Sequence, residues 1–152
     1  MSYFLRLYRF IRYNEHKQVT IKAFLLSAYY RFRIINSDIK KLAGKWGVEG
    51  EESPDDASFE DYKYAKKVAY AVNQVCEKTK WESKCLVRAL TAQKLLSEKR
   101  IETTLYLGCR LDENKKMIAH AWLRCGKLYV TGGNGNNQGY AIVDKFRAGE
   151  GT

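Results

Sequence analysis

Residues 84–109 read KCLVRALTAQKLLSEKRIETTLYLGC, and a change of period inside this stretch decides the fold. From Cys85 to about Glu98, the set Leu86, Ala89, Leu90, Gln93 and Leu96 recurs at three and four, the spacing of one helix face. After Arg100 the period falls to two. Residues 103–110 predict a first strand, 117–124 a second and 127–131 a third. Asp112 to Lys115 forms a polar hairpin loop, and Cys125-Gly126 a tight turn. The glycine- and asparagine-rich run 132–139 is no regular element, and 140–143 predicts a last strand. Helices first and an antiparallel sheet after them make an α+β domain.

Upstream, residues 61–80 predict another helix, starting at Ser58 or Asp61, with Tyr64, Val68, Ala71, Val72 and Val75 as its buried stripe. Before it, residues 44–58 hold Gly44, Gly47, Gly50 and Pro54 and read as a linker. Residues 3–13 place Arg6, Arg9 and Arg12 three apart, with Phe4, Leu7, Tyr8 and Ile11 on another face. Residues 18–35 continue as a second helix rich in Ile21, Phe24, Leu25, Ala28, Tyr29, Phe32 and Ile35. Asn36, Ser37 and Asp38 end it or cap a short helix that follows. The two helices are expected to form a hairpin burying their aromatic faces; the sharper reading is a docking surface for a membrane or a partner helix. The chain thus divides into a basic helical region, 1–45, an acidic linker, 46–60, and a core, 61–152.

The 152 residues fit one domain, and 45% hydrophobic residues suffice for a core. The N-terminus alternates arginine with apolar residues, unlike a secretory signal, and no apolar run is long enough to cross a bilayer, so a cytoplasmic location is expected. The net charge is +10, unevenly placed. Residues 49–61 hold Glu49, Glu51, Glu52, Asp55, Asp56, Glu60 and Asp61 and no base, while the flanking regions are basic. Such a balance favours an acidic partner without choosing its class. Cys76, Cys85, Cys109 and Cys125 form no CxxC pair and no zinc-ligand spacing, so no metal is expected.

Cys85 and His120 carry the chemistry. A thiol attacks only as thiolate, and a helix N-terminus offers unpaired N–H donors and partial positive charge that stabilise it. His120 stands in the strand-like His120-Ala121-Trp122-Leu123; the other histidine, His16, lies in the basic N-terminal region. An imidazole within reach of the thiol completes a dyad for attack on an amide carbonyl. Neither Cys109, in a strand, nor Cys125, at a turn, has a helix start beside it. The Cys85 backbone N–H is the candidate oxyanion donor.

The order of nucleophile on a helix, then histidine on the second strand of a meander, resembles the transglutaminase/papain-like catalytic core. More narrowly, KCLVRALTAQKLLSEKRIETTLYLGC and IAHAWLRCGKLYVTGG (residues 118–133) resemble the leader peptidases of lasso-peptide biosynthesis. The resemblance covers about residues 60–145. It implies a cysteine peptidase that cuts the leader from a ribosomally made precursor peptide and needs no cofactor. A separate small recognition protein that captures the leader is the implied partner. The macrolactam-forming cyclase, which consumes the new N-terminal amine, is a further one.

Family members often carry an aspartate about twelve residues after the histidine. Here that count falls on Gly132, whose lack of a side chain rules it out as the third group. With Cys125 and Gly126 as the two loop residues, position 120 faces 131 across the hairpin, which makes Thr131 the third candidate; its hydroxyl can orient the imidazole without supplying charge. Asn134 and then Asp144 follow. Trp81 and Trp122 are candidates for the cleft wall, or equally for core packing. The glycine loop lacks phosphate-binding spacings and is read as lining the substrate. Arg88 pairs with the acidic stretch or with substrate, or is a solvated or structural residue.

Two other readings use the same residues. One is a transglutaminase-like amidase or acyltransferase with another substrate. The other is a non-catalytic basic binding module in which Cys85 is structural. No RRM, helix-turn-helix or zinc-finger signature is present, so nucleic acid is not expected as the partner.

Overall fold

The structure, a computed structural model, describes residues 2–13, 17–79, 84–133, 137 and 139–149, without the side chains of Phe10 and Ile11. Its elements are α1 (Tyr3–Tyr13), α2 (Lys17–Asn36), α3 (Ile39–Ala43), β1 (Val48–Glu49), α4 (Phe59–Lys78), α5 (Cys85–Ser97), β2 (Thr103–Leu111), β3 (Met117–Cys125), β4 (Leu128–Thr131) and β5 (Ala141–Ala148). This is the α+β architecture that the period change predicts. Two of the helices, α3 and α4, start on short polar caps. The Asp38 carboxylate accepts from the Lys40 amide at 3.0 Å to begin α3, and the Ser58 hydroxyl accepts from the Asp61 amide at 3.1 Å to begin α4. Among the described residues no helix is long and apolar enough to cross a membrane.

The strands form one antiparallel sheet in the order β1-β5-β2-β3-β4. β5 does not extend the meander; the chain crosses back so that β5 pairs with β2 on the side away from β3. One face of the sheet, with Leu105, Ala121, Leu123 and Phe146, packs with Val68, Val72, Leu90, Leu95 and Leu96 of α4 and α5 in a common core. Burying side chains of this size stabilises by roughly 1.5–3 kcal/mol each.

The acidic stretch 46–60 is not a free linker. Trp46 is buried, edge-to-face on Phe146 with ring centroids 5.6 Å apart, and its carbonyl accepts from Gln93 Nε2 at 2.8 Å. Val48 and Glu49 pair with Arg147 and Phe146. Further on, the Ser53 amide donates to Thr104 Oγ1 at 2.8 Å, while the buried Arg124 donates to the Ser53 and Pro54 carbonyls, each at 3.0 Å. The acids find local partners: Glu51 takes Arg147 at 2.8 Å, and Glu52 accepts from the Tyr106 hydroxyl at 3.0 Å. Glycine and proline mark the absence of a helix here, but the segment's hydrogen bonds go to the sheet, whose second face it covers.

The N-terminal helices also pack differently from the expected hairpin. α2 buries Val19, Thr20, Ala23 and Ser27, with Phe24, Leu26, Tyr30 and Ile34 half-buried against the core that it shares with α4 and α5. Ile21, Leu25, Tyr29, Phe32 and Ile35 are exposed instead, as are Phe4 and Tyr8 of α1. The helical region 1–45 and the core 61–152 therefore share one hydrophobic cluster, through Val19, Ala23 and Leu42.

Candidate active site

α5 begins at Cys85. Lys84 stands at the N-cap in extended conformation (φ −71°, ψ 168°) and makes no side-chain capping hydrogen bond. The Lys84 side chain thus takes none of the first amides of the helix, and the positive end of its dipole lies at the half-buried Cys85. Val87, Leu90 and Leu95, all buried, fix the helix in the core and hence fix where the thiol points.

His120 lies on β3 opposite Gly108 of β2. Its ring sits within an aromatic row: Trp122 stacks beside it (5.7 Å, 26°) and Tyr140 tilts against it (5.1 Å, 37°). The row extends through Tyr106 stacked on Trp122 at 5.5 Å and the Arg110 guanidinium 4.8 Å above the Tyr140 ring. Gly108 is required here, since a Cβ at that position would lie 2.8 Å from the Trp122 indole. Strand alternation places Trp122 on the face of His120, as expected, where it supports the imidazole.

His120 Nε2 is 2.8 Å from the Gly132 carbonyl oxygen. A carbonyl has no proton to give, so Nε2 is the donor and the neutral ring keeps its lone pair on Nδ1. Gly132 itself is held at φ +69°, and a Cβ there would lie 2.6 Å from the Ala121 carbonyl oxygen. The position whose missing side chain seemed to disqualify it contributes its main chain instead.

Cys85 and His120 line one cavity of about 390 Å³. Arg88 of α5 and Asn73 and Glu77 of α4 form one side of it; Tyr129, Val130 and Thr131 of β4, followed by Gly132 and Gly133, form the other. Arg88 donates to Asn73 Oδ1 at 3.3 Å. Asn73, Glu77, Tyr129 and Tyr140 escaped the sequence reading. The spacing of Asn73 and Glu77 put them on one turn of α4, but nothing local said that this turn faces Cys85.

The register expected for Thr131 does not hold. Cys125 pairs with Leu128, so the loop residues are Gly126 and Lys127, one place later than expected. An irregularity between Leu123 and Arg124 then absorbs an extra residue on β4, and Thr131 comes opposite Leu123 instead of His120. Thr131 still lines the cavity, buried, and its Oγ1 has no hydrogen-bond partner among the described residues. Asp144 is remote: it pairs with Leu107 on the far side of β2 and, by hydrogen bond and charge, pushes the Glu49 carboxyl above its usual range. Asn134 and Trp81 lie outside the described residues.

The other thiols differ in kind. Cys76 and Cys125 are buried, and burial, with the Asp61 charge as a lesser cause, pushes the Cys125 thiol up to about 11. Cys109 is half-buried on β2, away from any helix start.

A family model described as the transglutaminase-like superfamily matches residues 28–144, a span that includes α4, α5 and the strands carrying the site. No curated protein and no solved structure matches the chain.

Proposed function

The chain belongs to the transglutaminase-like superfamily, and we propose that within it the protein is a cysteine peptidase that removes the leader from a lasso-peptide precursor. The observation that carries the chemistry is the meeting of Cys85, at the positive end of α5, and His120 in one cavity. The leader-peptide substrate rests on the motif resemblance of residues 84–109 and 118–133.

In this reading His120 Nδ1 takes the Cys85 proton, and Sγ attacks the carbonyl of the last leader residue. The oxyanion forms beside the amides at the start of α5, with the Cys85 N–H as a donor. Collapse breaks the peptide bond, and His120 returns the proton to the leaving amine, which is the N-terminus of the core peptide. The leader remains as a thioester on Cys85. Water, deprotonated by His120, then hydrolyses it and frees the thiol. The Nε2–Gly132 hydrogen bond keeps the ring oriented through both halves. A main-chain carbonyl carries only a partial charge, so imidazolium is stabilised less than beside a carboxylate.

A separate small leader-recognition protein is the proposed partner, with the cyclase acting next on the free amine. Mass spectrometry of a candidate precursor incubated with the protein and its recognition partner tests this, with Cys85→Ala in parallel. One cut made by the wild type and not by the variant supports the peptidase. Intact precursor, with both proteins folded and peptide bound, overturns it.

A further inference from the structure

Beside the catalytic cavity, a second cleft of about 640 Å³ opens between the same two elements. Phe59 and Tyr62 of α4 and Leu128 of β4 give it an apolar lining, and Lys63, Lys66 and Lys127 surround that lining. Among its described lining residues the one acid is Asp56, whose carboxylate accepts from the Tyr62 hydroxyl at 2.7 Å and from the Ala57 amide at 2.9 Å. It is held anionic and offsets one of the three lysines. Lys63 and Lys66 are exposed and form no ion pair among the described residues.

The two cavities follow one another along both elements. On β4, Leu128 of the second cleft directly precedes Tyr129 of the catalytic cavity. On α4, Lys66 precedes Asn73 by two helical turns, roughly 10 Å. An extended peptide covers that distance with about three residues. β4 is also an edge of the sheet, so a chain lying along it has main-chain groups to pair with.

We infer that this cleft is a distal subsite for the peptide substrate, taking an acidic side chain next to an apolar one, about three to six residues from the bond that is cut. The inference rests on the peptidase reading for its substrate class. Its own grounds are the placement of both clefts along α4 and β4 and the excess of three lysines over the one Asp56 carboxylate around an apolar floor. An anionic group in water has no such floor to use, whereas an Asp or Glu beside Phe or Leu satisfies both parts of the site.

The test is fluorescence anisotropy with the Cys85→Ala protein, in which turnover cannot interfere. The probes are a fluorescein-labelled Glu-Phe-Asp-Leu-Gly-Ser-Gly-Ser and its Gln-Phe-Asn-Leu counterpart. The acidic peptide is expected to bind the more tightly. Lys63→Glu with Lys66→Glu is expected to weaken it about ten-fold, while Lys40→Glu with Lys41→Glu on α3, equal in charge, leaves it within about two-fold. Equal binding of both peptides, no binding, or equal losses from the two lysine pairs overturns the subsite. Since binding is read without cleavage, a failed cut with selective binding sinks only the peptidase; cleavage with an unchanged KM in the Lys63/Lys66 variant sinks only the subsite.

Discussion

His120 and Gly132 are joined by a 2.8 Å hydrogen bond from the ring Nε2 to a main-chain carbonyl. A side chain on β4 is therefore not what orients the candidate base. The geometry depends on how closely the 132–133 turn approaches β3, and glycine at 132 makes that approach possible.

Gly132→Ala should accordingly impair the chemistry more than binding. The new Cβ would meet the Ala121 carbonyl at 2.6 Å in a backbone conformation that L-residues avoid, so the turn must move and the imidazole with it. We expect kcat to fall about 100-fold with KM little changed, and stability to fall by about 1–3 kcal/mol. Steady-state kinetics on the cut peptide and a thermal melt measure the two.

Thr131→Val removes a buried hydroxyl that has no partner among the described residues. If its only role is to fill space, kcat stays within about two-fold and stability is unchanged or rises by up to about 1 kcal/mol. A ten-fold loss of kcat with an intact fold would instead show Thr131 acting in the site.

Cysteine labelling should rank the thiols by environment. With iodoacetamide at pH 8, Cys85 is expected to react first and Cys109 more slowly, with Cys76 and Cys125 left intact until the protein unfolds. For Cys125, a thiol pushed up to about 11 is ionised in roughly one molecule per thousand at that pH. Peptide mapping by mass spectrometry against time gives the order; early labelling of Cys125 would contradict its burial.

Arg124→Met should destabilise without touching the cavity. The guanidinium donates to the carbonyls of Ser53, Pro54 and Gly126 and to the Tyr106 hydroxyl. Methionine leaves those acceptors without a donor, at a cost on the order of 3 kcal/mol. Lysine restores charge but not the fork, so Arg124→Lys is expected to recover little of it. Urea unfolding midpoints decide.

Two carboxyls on the 49–56 segment should respond oppositely to pH. The Tyr62 hydroxyl, then the Ala57 amide and Lys127, hold Asp56 below its ordinary value. Its contribution is therefore complete above the unfolded carboxylate value and is lost as pH falls through the lower folded one. Glu49 is raised by Asp144, so its contribution is present at low pH and lost as pH rises through the raised value. Thermal melts from pH 2 to 7 should show Asp56→Asn costing Tm near neutrality and less in acid, and Asp144→Asn raising Tm near neutrality. Parallel shifts across the range would contradict both.

Local rules made the elements and the candidate pair, Cys85 and His120, legible. The Asp38 and Ser58 caps, the 3.6-residue repeat after Cys85 and the period of two after Arg100 are properties of neighbouring residues, and the chain obeys them. The same is true of a lone cysteine at a helix start and of a histidine in a strand. Where neighbours do not decide, the expectations moved. The side of α2 that meets α4 and α5 carries Val19, Ala23 and Ser27 with Phe24, Tyr30 and Ile34 half-buried on the core, and it leaves Leu25 and Phe32 exposed. The acidic 49–56 run looks solvated in isolation, but the far ends of its hydrogen bonds lie on β2, β3 and β5.

What the sequence by itself determined is the α+β class, the transglutaminase-like superfamily and the two candidate catalytic side chains, since each is written in short-range period or in motif. Tertiary structure alone decided how those side chains are served. A one-residue shift in the β3–β4 loop and an irregularity beside it turn Thr131 away from His120, and the fold brings Asn73, Tyr129 and the Gly132 carbonyl into the cavity from separate elements. Strand register and main-chain acceptors arise from pairing between distant segments, and no residue identity encodes a carbonyl that every residue has.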